Sequence, residues 1–193
     1  MNTNIRELVM KNRSCRRFKE DRRITEKDLL DLIELARFSA SGANRQPLKF
    51  ILSHDRETKN LIFPKLAWAG YLTDWDGPVE GERPSAYIVI LLDTEISSNP
   101  FVDHGIMAQS MLLGATERGL GGCMLMAIDR DALRKDLSIP ERYEILMVVA
   151  LGEPAEKIVL EDLKGDDIRY YRDDDDIHHV PKRPISELVI NFR

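Results

Sequence analysis

Cysteine and long apolar runs are scarce in this chain, and each shortage excludes a class of protein. No window approaches the roughly 20 apolar residues that a membrane-spanning helix needs. Cys15 and Cys123 lie far apart without metal-type spacing, so two reduced thiols are expected. The opening MNTNIRELVMKNRS has an early acidic residue and no apolar core, unlike a secretory signal. The cytoplasm is therefore the expected compartment.

The sequence motifs of several familiar chemistries are also missing. There is no G-x-x-x-x-G-K-[ST] phosphate loop, no nucleophile elbow and no H-E-x-x-H. Gly119, Gly121 and Gly122 do not form a dinucleotide fingerprint, because they follow a predicted helix and Met124 stands where a third glycine is needed. The four histidines form no cluster, and residues 173–176 lack the glycine and final glutamate of a calcium loop. We predict structural histidines, a solvated acidic turn and no metal site.

Positive charge is concentrated locally, although the chain is acidic overall. Its net charge of -5 argues against general nucleic-acid binding, which needs a broad cationic surface. Basic residues gather in three segments: RSCRRF at 13–18, NRQP at 44–47 and KRP at 182–184. Guanidinium groups bind phosphate oxygens in bidentate fashion, and a serine hydroxyl can fill a remaining position. The pattern predicts a phosphate site; on local chemistry alone, a solvated basic turn is the alternative.

Residues 1–193 are predicted to form a single globular domain, because helical and strand patterns alternate without a break in composition. Strands are predicted at 50–52, 86–92, 123–128 and 145–151. Helices are predicted near the N-terminus, after a cap at Thr25, over 102–118 and after Asp129. A further helix is expected from about Glu57, interrupted at Pro64 and resuming as far as Leu72.

Five segments, taken in order, carry a resemblance to a known family: RSCRRF, SGANRQPLKF, ERGLGGCMLMAI, ALGEPAEK and KRPISELV. Together they resemble the nitroreductase family of FMN-dependent oxidoreductases, over nearly the whole length. The resemblance implies an α+β fold, a three-layer sandwich with a central mixed, mostly antiparallel sheet flanked by helices. It also implies an intertwined homodimer with FMN at the subunit interface.

The resemblance assigns cofactor contacts to particular residues. Arg16 is given to the pyrimidine edge of the flavin ring, where a cation favours the anionic reduced form. The loop at 41–46 would line the flavin, the end of the 123–128 strand would pass it with backbone groups, and the C-terminal basic pair would complete the phosphate site. The predicted cofactor set is Arg13, Ser14, Arg16, Ser41, Gly42, Asn44, Gln46, Asp103, Leu125, Met126, Ala127, Lys182 and Arg183.

Four positions depart from the family pattern. Asn12 replaces a common basic residue and Ala40 a common proline, while Leu48 and Met124 stand where tryptophans are usual. FMN binding is still expected, but the walls of the cavity change. Substrate preference is therefore poorly constrained by the resemblance.

The implied reaction is ping-pong. NADH or NADPH delivers hydride to the flavin and leaves, and a nitroaromatic, quinone or similar electron-poor acceptor then takes its place. Proximity and stacking supply most of the rate, so no catalytic side chain is predicted. Two alternatives stay open: a family offshoot that fragments flavin or dehalogenates its substrate, and a non-catalytic FMN-binding or storage protein.

Residues 73–84, rich in glycine and proline, are predicted to be irregular and are a candidate lid. Trp75 and Tyr71 are the predicted substrate contacts, because flat aromatic side chains can stack on flat substrates. The alternative is that these aromatic residues simply pack the domain or the dimer.

Overall fold

The computed structural model describes residues 4–190. Over this range the chain forms six α-helices and eight β-strands. The helices are α1 (Ile5–Lys11), α2 (Glu26–Arg37), α3 (Arg56–Ile62), α4 (Asp103–Glu117), α5 (Arg130–Asp136) and α6 (Ile185–Leu188). The strands are β1 (Phe18–Lys19), β2 (Leu48–Ser53), β3 (Ala86–Asp93), β4 (Gly121–Leu125), β5 (Tyr143–Pro154), β6 (Ile158–Asp162), β7 (Tyr171–Arg172) and β8 (His178–Lys182). None of the described helices is both long and apolar enough to cross a membrane.

The main sheet is built around β5, which has partners along both edges. β3 and β4 pair with opposite edges of β5, β1 pairs with the last two residues of β5, and β2 extends the sheet beyond β3. All four of these strand pairs are antiparallel. A second, three-stranded sheet has the order β6-β8-β7, with β6 and β8 parallel.

Helices cover both faces of the main sheet. All eight residues of β3 are buried, and alternate residues serve opposite faces because side chains alternate along a strand. Ile88, Ile90 and Leu92 pack with α2 and α4, and Tyr87, Val89 and Leu91 pack with α3, α5 and the segment after α3. This arrangement confirms the predicted three-layer α+β architecture.

Helix starts follow the local capping chemistry. The Thr25 hydroxyl accepts from the Asp28 N–H at 3.2 Å and the Asp28 carboxylate accepts from the Thr25 N–H at 2.8 Å, which is a reciprocal capping box. The Asp129 carboxylate accepts from the Ala132 N–H at the start of α5. Both helices begin where the sequence predicts.

The predicted continuation of a helix to Leu72 is wrong. α3 ends at Ile62, and a short 3₁₀ turn covers Phe63–Lys65. The chain then leaves helical geometry because Pro64 lacks an N–H and the Ala67 N–H donates to the Ala127 carbonyl at 3.0 Å. The sheet of β6, β7 and β8 was not predicted either, since its strands are short, partly exposed and interspersed with charge.

Gly122 on β4 tests the close packing of this sheet. A Cβ there would lie 2.5 Å from both the Ala150 carbonyl oxygen and Leu112 Cδ2, whereas a Cβ on Gly70 meets no atom of residues 4–190 within 4 Å. We expect Gly122→Ala to lower the free energy of unfolding by about 1–3 kcal/mol, measured by urea denaturation. Gly70→Ala is the control and should change it by less than about 0.5 kcal/mol. Equal stability of the two variants would contradict the packing described for β4.

Candidate functional site

The basic segment after α1 runs alongside β4. Ser14 forms a parallel bridge with Gly122, and the Cys15 N–H donates to the Gly122 carbonyl at 3.0 Å. The segment then enters β1, which pairs with the end of β5. Arg13, Ser14 and Arg16 are thus fixed by backbone pairing rather than carried on a free turn.

Arg13 borders a small cavity between the N-terminal segment, α4 and β4. The cavity has a volume of about 210 Å³, and its lining residues are Asn12, Arg13, Ser14, Gln109, Leu112, Gly122 and Met124. Arg13 donates to the Val9 carbonyl at 2.8 Å, and its buried Nε has no partner among the described residues. Partial burial also lowers the pKa of Arg13 from its usual value. The side chain thus retains an unpaired donor beside a polar cavity.

Arg16 is almost completely buried, with 9% of its surface exposed. Its guanidinium makes one hydrogen bond, a long one of 3.3 Å to the Ser14 carbonyl, and its Nε has no partner in the described part of the chain. Within residues 4–190 no carboxylate forms an ion pair with it; the ring of Tyr170 lies 4.7 Å from its Cζ instead. A buried cation without an anion is costly, so a hydrogen-bond acceptor of a ligand placed beside this group would be stabilised.

Glu156 anchors the backbone of the same segment. Its side chain is 1% exposed, and its Oε1 accepts from the N–H groups of Arg16 at 2.5 Å and Arg17 at 3.2 Å. Oε2 accepts from Arg172 at 3.1 Å, and His178 Nδ1 lies 3.7 Å away, beyond hydrogen-bond distance. Burial alone would raise the pKa of Glu156, but the nearby His178, the Arg16 N–H and the Arg172 guanidinium favour the carboxylate and lower the pKa to about 2.

Asp103 organises the predicted flavin loop. It is 1% exposed at the start of α4, and its carboxylate accepts from the Ser41 hydroxyl at 2.6 Å and the Gly42 N–H at 2.9 Å. The Ser41 Oγ in turn accepts from the Gln46 N–H at 2.9 Å. The structure therefore brings four of the predicted residues together: Asp103, Ser41, Gly42 and Gln46.

The same loop carries backbone strain. Ala43, Asn44 and Gln46 have φ values of 50°, 53° and 51°, in the left-handed region that favours glycine. The Gln46 side-chain amide donates to the carbonyl and side-chain oxygens of Asn44, both at 3.2 Å. Strain of this kind is concentrated at ligand sites, although it does not identify the ligand.

The remaining predicted cofactor residues have no described side-chain hydrogen bond or ion pair with the Arg13–Arg16 segment or with the loop at 41–46. Leu125 is buried at the end of β4, Met126 and Ala127 are exposed, and the Ala127 carbonyl accepts from Ala67. The Lys182 carbonyl accepts from the Leu163 N–H, and Arg183 forms an ion pair with Glu187 at 2.8 Å. The described contacts of Lys182 and Arg183 therefore stay within the C-terminal segment and do not bring this pair to Arg13.

The predicted substrate residue Trp75 lies in an irregular segment, as expected for residues 73–84. Its ring faces the guanidinium groups of Arg172, at 4.5 Å, and Arg17, at 5.9 Å. The segment is also tied to the N-terminal strand, because Arg17 pairs with Glu82 at 3.2 Å. Trp75 is thus packed between arginines of its own chain, and a role as a lid residue stays a prediction.

Tyr71, the other predicted substrate residue, is half exposed and packs against Tyr170, with ring centroids 5.0 Å apart. Tyr170 and Glu156 were both missed by the sequence analysis. Tyr170 lies in the charged stretch GDDIRYYRDDDD, and Glu156 lies in ALGEPAEK, a segment that carried the resemblance but to which no contact was assigned. Two adjacent tyrosines in such a charged stretch are the only available signal, and nothing in their spacing points to Arg16.

Comparison with known proteins decides the family. A model described as the nitroreductase family matches residues 9–75 and 83–153. This chain belongs to the nitroreductase family. The match ends before Glu156 and Tyr170, so the residues that surround Arg16 from the C-terminal side lie outside the part that the family model describes.

Individual proteins are similar to this chain over most of its length. A protein of Archaeoglobus fulgidus, provisionally named an NADH dehydrogenase/NAD(P)H nitroreductase, is 28% identical over 78% of this chain and 85% of its own. The NADPH-flavin oxidoreductase of Vibrio harveyi is 26% identical over 80% of this chain and 67% of its own. The crystal structure of a nitroreductase family protein from Streptococcus pneumoniae superposes with a TM-score of 0.68 at 18% identity, covering 98% of this chain and 100% of that one. The last comparison supports the fold only.

Glu156→Gln tests the buried carboxylate. The folded pKa of about 2 is below the usual 4.5, so the carboxylate stabilises the fold above pH 4.5 and loses this effect as the pH falls towards 2. We expect the variant to lose about 2–3 kcal/mol of unfolding free energy at pH 7. The difference from wild type should shrink by more than half at pH 3. A difference that is the same at both pH values in urea denaturation would show that Glu156 does not titrate as described.

Proposed function

We propose that this chain is an FMN-dependent oxidoreductase that takes hydride from NADH or NADPH and reduces nitroaromatic, quinone or similar electron-poor acceptors. The observation that carries the proposal is Arg16, a buried guanidinium with a free donor and no carboxylate partner within the described residues. Membership of the nitroreductase family and similarity to an NADPH-flavin oxidoreductase support the same reading.

The chemistry of the available donors fits FMN. Arg13 and Arg16 each have a buried Nε without a described partner, and Ser14, an exposed residue, lies between them in the sequence. Arg13 and Ser14 suit the phosphate, because a guanidinium and a hydroxyl both donate to its oxygens. Arg16 suits the ring edge, where negative charge develops on reduction. We assign the loop held by Asp103 to the ribityl chain and ring.

We further propose that two copies of the chain complete the site. The cavity that Arg13 shares with Ser14, at about 210 Å³, is smaller than the roughly 300–1,000 Å³ typical of cofactor pockets, so we expect a partner surface to enclose a ligand bound there. Large apolar side chains are exposed on α1, at the start of α4 and around α6, as expected of a surface covered by a partner. They include Ile5, Val9, Met10, Val102, Ile106, Ile185, Leu188 and Ile190.

When bound, FMN would supply the redox chemistry, accepting hydride from NAD(P)H and passing electrons to the acceptor. The contribution of the protein is positioning and charge. Arg16 presents a cation at low solvent exposure, where its field is weakly screened. Asp103 holds the loop in shape, and Trp75 and Tyr71 stay the proposed contacts for flat substrates.

We propose that residues 1–193 form a single FMN-binding domain. Cys15 and Cys123 are both free and buried, which suits the reducing cytoplasm.

The direct test is the visible spectrum of the purified protein under anaerobic conditions. We expect the yellow spectrum of oxidised flavin, bleached by NADH or NADPH and restored by a quinone or nitroaromatic. A flavin spectrum that neither nicotinamide changes would favour the storage protein. A protein that stays colourless after incubation with excess FMN would refute the proposal.

Arg16→Ala tests the assigned cation. Loss of the guanidinium should weaken FMN binding at least tenfold or make the reduction potential of the bound flavin more negative, because the anionic reduced form loses a nearby charge. Arg17→Ala is the matched control, since it removes the same charge from a side chain already paired with Glu82 and Asp176. Equal effects of the two variants on dissociation constant and potential would mean that Arg16 is wrongly assigned.

A further inference from the structure

Tyr170 is the aromatic residue that contacts the Arg16 guanidinium, and it is held from several sides. Arg16 Cζ lies 4.7 Å from the centre of the Tyr170 ring. The buried His178 ring stacks on Tyr170 at 5.3 Å with an interplanar angle of 26°, and the Tyr71 ring packs at 5.0 Å. The Tyr170 hydroxyl accepts from the Tyr71 N–H at 3.4 Å. The position of the ring is therefore well determined.

Arg16 has few other contacts that could hold its head group. Its single described side-chain hydrogen bond is the 3.3 Å contact with the Ser14 carbonyl, and no described carboxylate pairs with it. A carboxylate in the place of Tyr170 would neutralise the guanidinium. The face of an aromatic ring attracts a cation through its quadrupole and leaves the positive charge in place.

The backbone of Arg16 is fixed by the same part of the chain. Glu156 accepts from the N–H groups of Arg16 and Arg17, and its charge is balanced by Arg172 rather than by Arg16. Both the main chain and the head group of Arg16 are therefore held by residues that follow residue 153, where the family match ends.

We propose that Tyr170 is a positioning residue for Arg16: its ring holds the guanidinium against the flavin site and thereby makes the bound flavin easier to reduce. This inference rests on the proposed function, because it needs FMN at Arg16. Oxidised flavin is neutral at its pyrimidine edge and the reduced form tends to be anionic, so a fixed cation favours the reduced form. A guanidinium released from the ring can turn towards water, where its charge is screened.

The test compares Tyr170→Leu with Tyr171→Leu in FMN-loaded protein. Tyr171 is the matched control because it is the adjacent tyrosine and stacks on His179 at 4.7 Å rather than on Arg16. We expect Tyr170→Leu to lower the ratio of reduced to oxidised FMN affinity about tenfold, which for a two-electron couple is a midpoint potential about 30 mV more negative. Tyr171→Leu should leave the midpoint unchanged.

A second pair of variants covers the case in which Tyr170→Leu does not fold or does not retain FMN. Tyr170→Phe keeps the ring and loses only the hydroxyl, so the potential should stay near that of wild type. Fluorine atoms added to that phenylalanine keep its shape while weakening the negative face of the ring, and the potential should fall as fluorines are added.

The outcomes separate this inference from the proposed function. If wild-type protein binds no FMN, the proposed function itself fails. If it binds FMN and the midpoint potentials of Tyr170→Leu and the fluorinated series equal that of wild type, only the role of Tyr170 is refuted. An equally large fall of the midpoint potential in Tyr171→Leu would also refute this role, because the effect would then belong to the sheet of β6, β7 and β8 in general.

Discussion

The site depends on one buried carboxylate that accepts two consecutive backbone N–H groups. Glu156 binds the N–H groups of Arg16 and Arg17 and so fixes the direction in which these two side chains leave the chain. Arg17 points to Glu82, Asp176 and Trp75, while Arg16 points to Tyr170. Two adjacent arginines of identical chemistry thereby have different surroundings, and only one of them is left without a described anion.

This arrangement separates charges that would otherwise cancel. A buried carboxylate close to Arg16 could pair with its guanidinium, but Glu156 turns its second oxygen to Arg172. The positive charge of Arg16 is therefore retained at low exposure, where desolvation makes it costly to keep and effective towards a ligand. The backbone pairing of Ser14 with Gly122 and the ring of Tyr170 hold the Arg16 side chain in this position. The fold thus stabilises an arrangement that its local electrostatics disfavour.

The sequence predicted the parts of the fold whose patterns are strong. The continuous apolar run at 86–92 and the capping pattern at Thr25 both correspond to elements, since burial on two faces and a reciprocal cap leave clear marks in the sequence. The prediction of a helix up to Leu72 was wrong because the Ala67 N–H donates to the Ala127 carbonyl, a tertiary hydrogen bond, instead of to a carbonyl within a helix. The C-terminal sheet was not foreseen, because strands with mixed polarity lack a period.

The candidate site, like the fold, could be predicted only in part. Arg13, Arg16 and the loop at 41–46 could be predicted from the resemblance, since they lie in the matched part of the chain. Tyr170 and Glu156 could not, because they reach Arg16 through pairing across well over a hundred residues, which no local spacing records. Their contacts with Arg16 are visible only in the folded chain.

The loop at 41–46, which Asp103 holds, contains three residues with left-handed backbone geometry. Each costs on the order of 1–3 kcal/mol, while the two hydrogen bonds to Asp103, a charged acceptor, contribute roughly 1.5–3 kcal/mol each. The hydrogen bonds to Asp103 thus offset much of the cost of the left-handed geometry. The geometry of this loop is therefore coupled to the N-terminal end of α4, and a displacement of that end would be transmitted to residues 41–46.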